Sequence, residues 1–263
     1  MSKSSNSFVI VNTRPVGQGE ELSLRLRELG FVVHDIPALE IEHLRFDVSE
    51  VIGLKADDWV VFTSVNAVNS VHMALQQAGH EEGMSLLCAK VAVVGAATQC
   101  AVEKIGLPVR VSAEGLGGEV LTEKIIAELK ELWGGALESQ PRVVFFRAET
   151  VAFDISGALA LAGIQVQEVI AYRTREHLLS NDETLLLNTL SQDKEYRVLF
   201  ILTSSRGARA VATWIDELSI CLKDSAAIAI GPKTFESAKA FGFNVKTISA
   251  SADTEGIVKA LLS

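Results

Sequence analysis

The chain of 263 residues is 48% hydrophobic and 22% charged, which excludes an intrinsically disordered protein and leaves room for one large domain or two ordinary ones. Its formal net charge of −9 at pH 7 argues against a general binder of nucleic acid or of an acidic membrane surface, while a local basic pocket stays compatible with it.

The first residues after Met1, SKSSNS, lack an apolar core and read as a frayed start, not as a secretory signal. Phe8–Val11 is a short apolar run, as a buried parallel strand would be. Leu22, Leu26 and Leu29 recur at helical spacing, so Glu20–Leu29 reads as an amphipathic helix stopped by Gly30. Phe31–Ile36 is a second strand, halted at Pro37. Asp57–Val65, DDWVVFTSV, is an apolar run ending in Thr63-Ser64, and the acidic pairs Asp57-Asp58 and Glu81-Glu82 read as solvated turns. Val91–Thr98, VAVVGAAT, is another strand closed by a Gly-x-x-Thr turn. The glycines from Gly115 to Gly118 read as a mobile loop. Leu121, Ile125, Leu129 and Leu132 then mark one helix face, and Trp133–Gln140 reads as a loop. Val143–Phe146, Ile155–Leu161 and Gln165–Ile170 repeat the strand-helix-strand pattern, with Gly163 as the stop. After a polar break at His177–Asp182 come YRVLFILTSSR (196–206), AIAIGPKT (227–234) and a last helix marked by Ile257, Val258, Leu261 and Leu262.

These elements repeat. Gly95 and Gly231, Thr98 and Thr234, Gly106 and Gly242, Val109 and Val245, and Glu119 and Glu255 all stand 136 residues apart. Arg14 and Arg147, like Gly30 and Gly163, stand 133 apart. One offset held over several positions indicates an internal duplication. Alternating strands and helices predict an α/β fold: two similar domains, each a parallel sheet flanked by helices, with a cleft between them for a small molecule.

In such sheets ligands sit beyond the carboxyl ends of the strands, where the repeated Arg, Thr-Ser and Gly-x-x-Thr landmarks fall. Ser64, Ser204 and Ser205 are at helix starts, and so are Thr98 and Thr234. Gly95 and Gly231 let the backbone turn sharply. Free amides at a helix start attract anions, so four such starts suit a ligand with several carboxylates or phosphates. The same Ser and Thr residues serve equally as ordinary caps. Arg14 and Arg147 fit equally as surface residues. Cys88, Cys100 and Cys221 are odd in number and lack C-x-x-C spacing, which speaks against a disulfide framework or a zinc site and for a reduced cytoplasmic setting. The five histidines show no metal-binding spacing, and no nucleophile elbow, Walker or dinucleotide fingerprint occurs. An enzyme built this way works by positioning an already reactive substrate.

TRPVGQGEELSLRLRELG (13–30), IPALEI (36–41), VVFTSVNAV (60–68), VAVVGAATQCAVEKIG (91–106), VIAYRT (169–174), LTSSRGA (202–208) and AIGPKTFESAKAFG (229–242) together resemble the uroporphyrinogen-III synthase family. No single motif is specific; the ordered set spans nearly the full length. The resemblance implies an enzyme that closes hydroxymethylbilane, a linear tetrapyrrole with eight carboxylates, into uroporphyrinogen III. The terminal pyrrole is inverted and water is lost, through an azafulvene and then a spiro intermediate. It implies no metal or organic cofactor. It also implies no nucleic-acid or membrane partner, a cytoplasmic monomer, and at most transient contact with the preceding enzyme of the pathway. By motif, Tyr172 matches the tyrosine held to assist departure of the hydroxyl. Arg14, Ser64, Thr98, Arg147, Ser204, Ser205, Gly231 and Thr234 match substrate-binding positions. Two departures stand out. Ala96 replaces a frequent proline, and the segment after Arg147 lacks a frequent glycine, which leaves Arg147 the least secure contact.

The family's architecture further implies that the sequence halves are not the domains. It places 1–37 with 175–263 in one discontinuous domain and 43–168 in the other, with extended connectors at 38–42 and 169–174. The alternative is a non-catalytic two-domain binder or sensor of an anionic small molecule. Tyr172 favours the enzyme, and at the 133-residue offset its counterpart is Leu39, which has no hydroxyl.

Overall fold

The computed structural model describes residues 8–80, 88–113, 117–133, 141–192, 197–220, 226–251 and 253–263. The expectations for residues 2–7, Glu81-Glu82, Gly115 and Leu116, Gly134 to Gln140, and Cys221 lie outside these. In chain order the elements are β1 (Phe8–Asn12), α1 (Glu20–Glu28), β2 (Val32–Asp35), β3 (Leu39–His43), α2 (Ser49–Ile52), β4 (Trp59–Phe62), α3 (Val65–Gln77), β5 (Lys90–Val94), α4 (Ala96–Lys104), β6 (Val109–Ala113) and α5 (Gly117–Trp133). There follow β7 (Val143–Ala148), α6 (Ile155–Leu161), β8 (Val166–Glu176), α7 (Asn181–Gln192), β9 (Arg197–Leu202), α8 (Ser205–Glu217), β10 (Ala226–Ile230), α9 (Pro232–Ala240), β11 (Asn244–Ser249) and α10 (Thr254–Leu262).

The chain divides into two compact units, one comprising its segments up to Glu40 and from Arg175 onward, the other running from Ile41 to Thr174. The first holds a sheet in the order β11-β10-β9-β1-β2, with its four strand pairs parallel. The second sheet has the order β3-β8-β7-β4-β5-β6. Substituting equivalent elements, the path β11-β10-β9-β1-β2 becomes β6-β5-β4-β7-β8, so the duplication in sequence is a duplication in topology. Even the irregularities repeat: the register shifts between Val91 and Ala92 in β5 and between Ala227 and Ile228 in β10, 136 positions on. The first β-α-β unit pairs with second-half strands through β1 and β9, and β7 pairs with first-half β4.

The inner strands β1, β4, β5, β7, β9 and β10 are largely apolar runs because both of their faces are covered, whereas β2, β3, β6 and β11 carry exposed polar positions. In β4, the side chains of Val60 and Phe62 enter one buried cluster with Val68 and Val71 of α3. Trp59 and Val61 enter the opposite cluster with Leu121 and Ile125 of α5. The other sheet is built alike. Val11, Phe200 and Leu202 pack with Ala208 and Val211 of α8, while Ile10, Leu199 and Ile201 pack with Leu22 and Leu26 of α1. Leu22 and Leu26 are fully buried, so truncating either to Ala costs about 2–5 kcal/mol.

The segments expected as extended connectors, 38–42 and 169–174, lie at β3 and within β8, hydrogen-bonded strands that run across the two points where the chain passes between the units. Three expectations are revised. Gly117 and Gly118, read as part of a mobile loop, open α5. The polar break at 177–182 already contains the start of α7. Ser180 and Glu183 form a reciprocal cap there, Glu183 Oε2 accepting from the Ser180 amide (2.7 Å) and Ser180 Oγ from the Glu183 amide (3.3 Å). Asp58 is not a solvated turn residue. It is 6% exposed, and its carboxylate accepts the backbone amides of Lys55 and Arg142, each at 2.8 Å.

Candidate active site

In the unit 41–174, Thr63 and Ser64 follow the carboxyl end of β4. Ser64 is extended (φ −158°) and caps α3 by accepting the Ala67 amide at 3.2 Å. Next to it is Tyr172. The pairing of β7 with β8 runs in step to Arg147↔Ile170 and then jumps to Ala148↔Tyr172. That bulge leaves Ala171 without a partner on β7 and lets the consecutive residues Ala171 and Tyr172 both be buried. It also turns the tyrosine toward β4, where its ring joins the cluster of Val60, Phe62 and Phe146 and its hydroxyl lies 2.8 Å from Ser64 Oγ. The Tyr172 carbonyl accepts the Glu149 amide (2.9 Å). Ser64 and Tyr172 line a cavity of about 310 Å³ whose other walls include Thr63, Val94, Phe145, Thr150 and Phe153. The lining is largely apolar with a few hydroxyls, a common make-up for a small-molecule site.

Thr98 is buried at the third position of α4. The cap position there belongs to Gly95, with φ +84° and no side chain to satisfy the first amides. Thr98 is therefore not a cap residue, contrary to the reading of the Gly-x-x-Thr turn. Arg147 is largely engaged within its own unit. Nη1 donates to the carbonyls of Ala148 (2.8 Å) and Glu149 (3.0 Å), and Nη2 to Glu168 (2.8 Å). Beside Tyr172, Arg173 makes a two-pronged pair with Glu42 at 2.9 Å on both arms.

The unit formed by the chain's two ends repeats the arrangement with variations. Ser204 caps α8 by accepting the Gly207 amide at 2.9 Å. Ser205 is exposed in the first turn and donates to the Lys233 carbonyl (3.3 Å), which brings the starts of α8 and α9 together. Gly231 (φ +80°) occupies the cap position of α9, Pro232 follows it, and Thr234 is buried at the third helical position like Thr98.

Arg14 follows β1. Its amide donates to Asn12 Oδ1 (3.3 Å) and its Nη1 to the Gln18 carbonyl (3.3 Å). Sequence reading missed the scaffold beneath it. The Asn12 amide group donates to the Gly19 carbonyl (3.1 Å) and to Asp35 Oδ1 (3.0 Å), while Asp35 also takes hydrogen bonds from Ser23 and Arg27. Asp35 stands 133 residues before Glu168. In one copy the acid holds the strand-end arginine; in the other it holds the loop that carries it.

His177 was likewise not singled out. Its ring is hydrogen-bonded to Glu40 and to Glu183 (2.9 Å), and its carbonyl accepts the Trp214 indole N–H (3.0 Å). Burial alone would lower its pKa, but the hydrogen bonds and charges of Glu183 and Glu40 outweigh that and raise it. No group of His, Cys, Asp and Glu among the described residues could hold a metal ion, and no helix among them is long and apolar enough to cross a membrane.

A family model described as uroporphyrinogen-III synthase HemD matches residues 20–259. A curated relative, the uroporphyrinogen-III synthase of Synechococcus elongatus, is 32% identical over 171 residues. That match spans 63% of this chain and 60% of the relative's length. The solved uroporphyrinogen-III synthetase of Helicobacter pylori superposes with a TM-score of 0.61 at 17% identity, covering 97% of this chain and 98% of that one. A mutant uroporphyrinogen III synthase of Thermus thermophilus gives 0.52 at 16% identity, covering 97% and 99%. At these identities the two structures speak to the fold.

Proposed function

The chain belongs to the uroporphyrinogen-III synthase family, and on that premise we propose that it cyclises hydroxymethylbilane to uroporphyrinogen III with inversion of the terminal pyrrole. The observation that carries this reading is the Tyr172 hydroxyl, turned by the β8 bulge onto a cavity wall beside the start of α3. There it is suited to donate a hydrogen bond to the departing hydroxyl of the substrate. The pyrrole nitrogen supplies the electron push, the C–O bond breaks with its electron pair going to oxygen, and water leaves. The ring loses its N–H proton in becoming the azafulvene. With so reactive a substrate, the protein's task is orientation and charge stabilisation, and no strong base is required.

The carboxylates are taken by helix starts and by Arg14. Ser204, Ser205, Gly231 and Thr234 act in the discontinuous unit, and Ser64 and Thr98 in the other. Arg147 enters the binding set only by giving up its pair with Glu168. The protein acts in the cytoplasm as a monomer, with at most passing contact with the enzyme that supplies its unstable substrate.

The test is to give purified protein freshly made hydroxymethylbilane, oxidise the products and separate the porphyrin isomers. The type III isomer is expected. Type I alone, which forms without the enzyme, would sink the proposal and leave a binder of anionic small molecules. Tyr172→Phe should lower kcat by about 100-fold, the scale of losing one aimed donor, with a smaller effect on KM.

A further inference from the structure

The Ser64 hydroxyl is fixed from two sides. Its oxygen accepts the Ala67 amide at 3.2 Å as the cap of α3, and it lies 2.8 Å from the Tyr172 hydroxyl oxygen. A serine hydroxyl has one proton to donate, and so has a tyrosine. If Tyr172 gives its proton to Ser64, it has none for a substrate. If Tyr172 donates into the cavity, its oxygen needs a donor behind it, and Ser64 is the neighbour 2.8 Å away. The Ala67 amide occupies a lone pair of Ser64 and leaves the serine proton free for that bond. Hydrogen bonds in such a chain polarise one another, so each strengthens the next. The Ala67 amide is also in the first turn of α3, where the positive end of the helix dipole lies.

We propose that Ser64 is a positioning residue for the reaction: it donates to the Tyr172 oxygen, aims the tyrosine proton into the cavity, and stabilises negative charge developing on that oxygen as water leaves. The inference rests on the synthase reading and moves Ser64 from contacting a carboxylate to acting through Tyr172. Ser64 itself loses no proton. A proton given by Tyr172 to the departing oxygen is balanced by the pyrrole N–H proton that the ring releases. The duplication supports a special task here. Ser204 caps α8 in the same way, through the Gly207 amide at 2.9 Å, but the position equivalent to Tyr172 in the other copy is Leu39, which offers no oxygen.

Steady-state kinetics of four variants with hydroxymethylbilane test it. Ser64→Ala should lower kcat by about tenfold, the scale of one hydrogen bond to a charged partner, with KM within about twofold. Ser64→Thr keeps hydroxyl and cap and should restore most of kcat. Ser64→Asp keeps the cap and the melting temperature, but an ionised carboxylate has no proton to give, so its kcat should fall at least as far as that of the alanine variant. Combined with Tyr172→Phe, Ser64→Ala should cost nothing further, because it acts through the group already removed. A raised KM with unchanged kcat, a wild-type rate in Ser64→Asp, or a full additional tenfold loss in the double variant would each overturn the assignment. Failure of the underlying reading shows separately, as type I product from the wild-type protein or an unimpaired Tyr172→Phe. The Thr and Asp variants keep the test decisive even where Ser64→Ala folds poorly.

Discussion

Asp58 offers the sharpest check on how the unit 41–174 is held. Its carboxylate satisfies two backbone amides at once, Lys55 through Oδ2 and Arg142 through Oδ1, and so ties the entry of β4 to that of β7. Asp58→Ala removes both acceptors and leaves the amides in a site where the residue was 6% exposed. A hydrogen bond to a charged acceptor contributes about 1.5–3 kcal/mol, and the sites are part-buried, so two at the low end give a loss of about 3 kcal/mol. Spread over a unit of about 130 residues, that lowers its melting temperature by about 10 °C. Asp58→Asn keeps one oxygen and turns a donor toward the other amide, for a loss of about 2 kcal/mol. Asp57→Ala is the control. Asp57 is two-thirds exposed and pairs with Lys90 at 3.3 Å on the surface, so its loss stays within about 0.5 kcal/mol. Urea titration followed through the buried Trp59 reads the effect. Equal midpoints for Asp57→Ala and Asp58→Ala would refute the reasoning.

Three further outcomes are expected. Arg14→Gln should raise KM by about tenfold or more with little change in kcat, whereas Arg147→Gln should leave KM within about twofold and cost about 1 kcal/mol of stability through its partly exposed Glu168 pair; kinetics and melting of both variants separate the two. For His177 the folded pKa lies above its ordinary value of 6.5, so its ion pairs contribute fully below that value and are lost as pH rises through the folded one, while Glu183, held below 4.5, stays charged until the pH falls under that. The stability gap between wild type and His177→Gln, measured by denaturant midpoints, should therefore be widest between pH 4.5 and 6.5 and narrow as the pH is raised through the folded value above 6.5. Gly95→Ala and Gly231→Ala should each cost about 1–2 kcal/mol in thermal melts through positive φ alone, since a Cβ at either position meets nothing within 4 Å.

Much of the fold was legible because it depends on local patterns. The helix Ile155–Leu161 and the last helices announce themselves by apolar spacing, and the repeat offsets of 133 and 136 predict a duplicated topology that the strand orders reproduce. The start of α7 was legible too, in the Ser180-Asn181-Asp182-Glu183 capping box, but its thin apolar stripe, with only Leu187 buried, hid the helix behind its polar start. The continuation of β8 to Glu176 was legible only as the extended connector at 169–174 that the resemblance implied, because the run that reads as a strand stops at Ile170. The bulge at Ala171 of β8 was not legible, since no glycine marks it, and the bulge is what brings Tyr172 to Ser64. Asp35 and Glu168 show the deeper limit. They occupy equivalent positions, yet each holds different partners, chosen by side chains distant in sequence.

The pairing of β1 with β9 sets a timetable for synthesis. Phe8 faces Arg197, about 190 residues later in the chain. At a ribosome adding about 5–20 residues per second, the amino-terminal strand emerges about 10–40 s before its neighbour exists. In that interval β1 has only β2 beside it and α1 across its face, half a sheet with an open edge. Residues 41–174 meanwhile emerge without interruption and can close their own sheet. The unit begun first is thus completed last, and the nascent chain must keep the apolar edge of β1 unpaired until Arg197–Leu202 arrives.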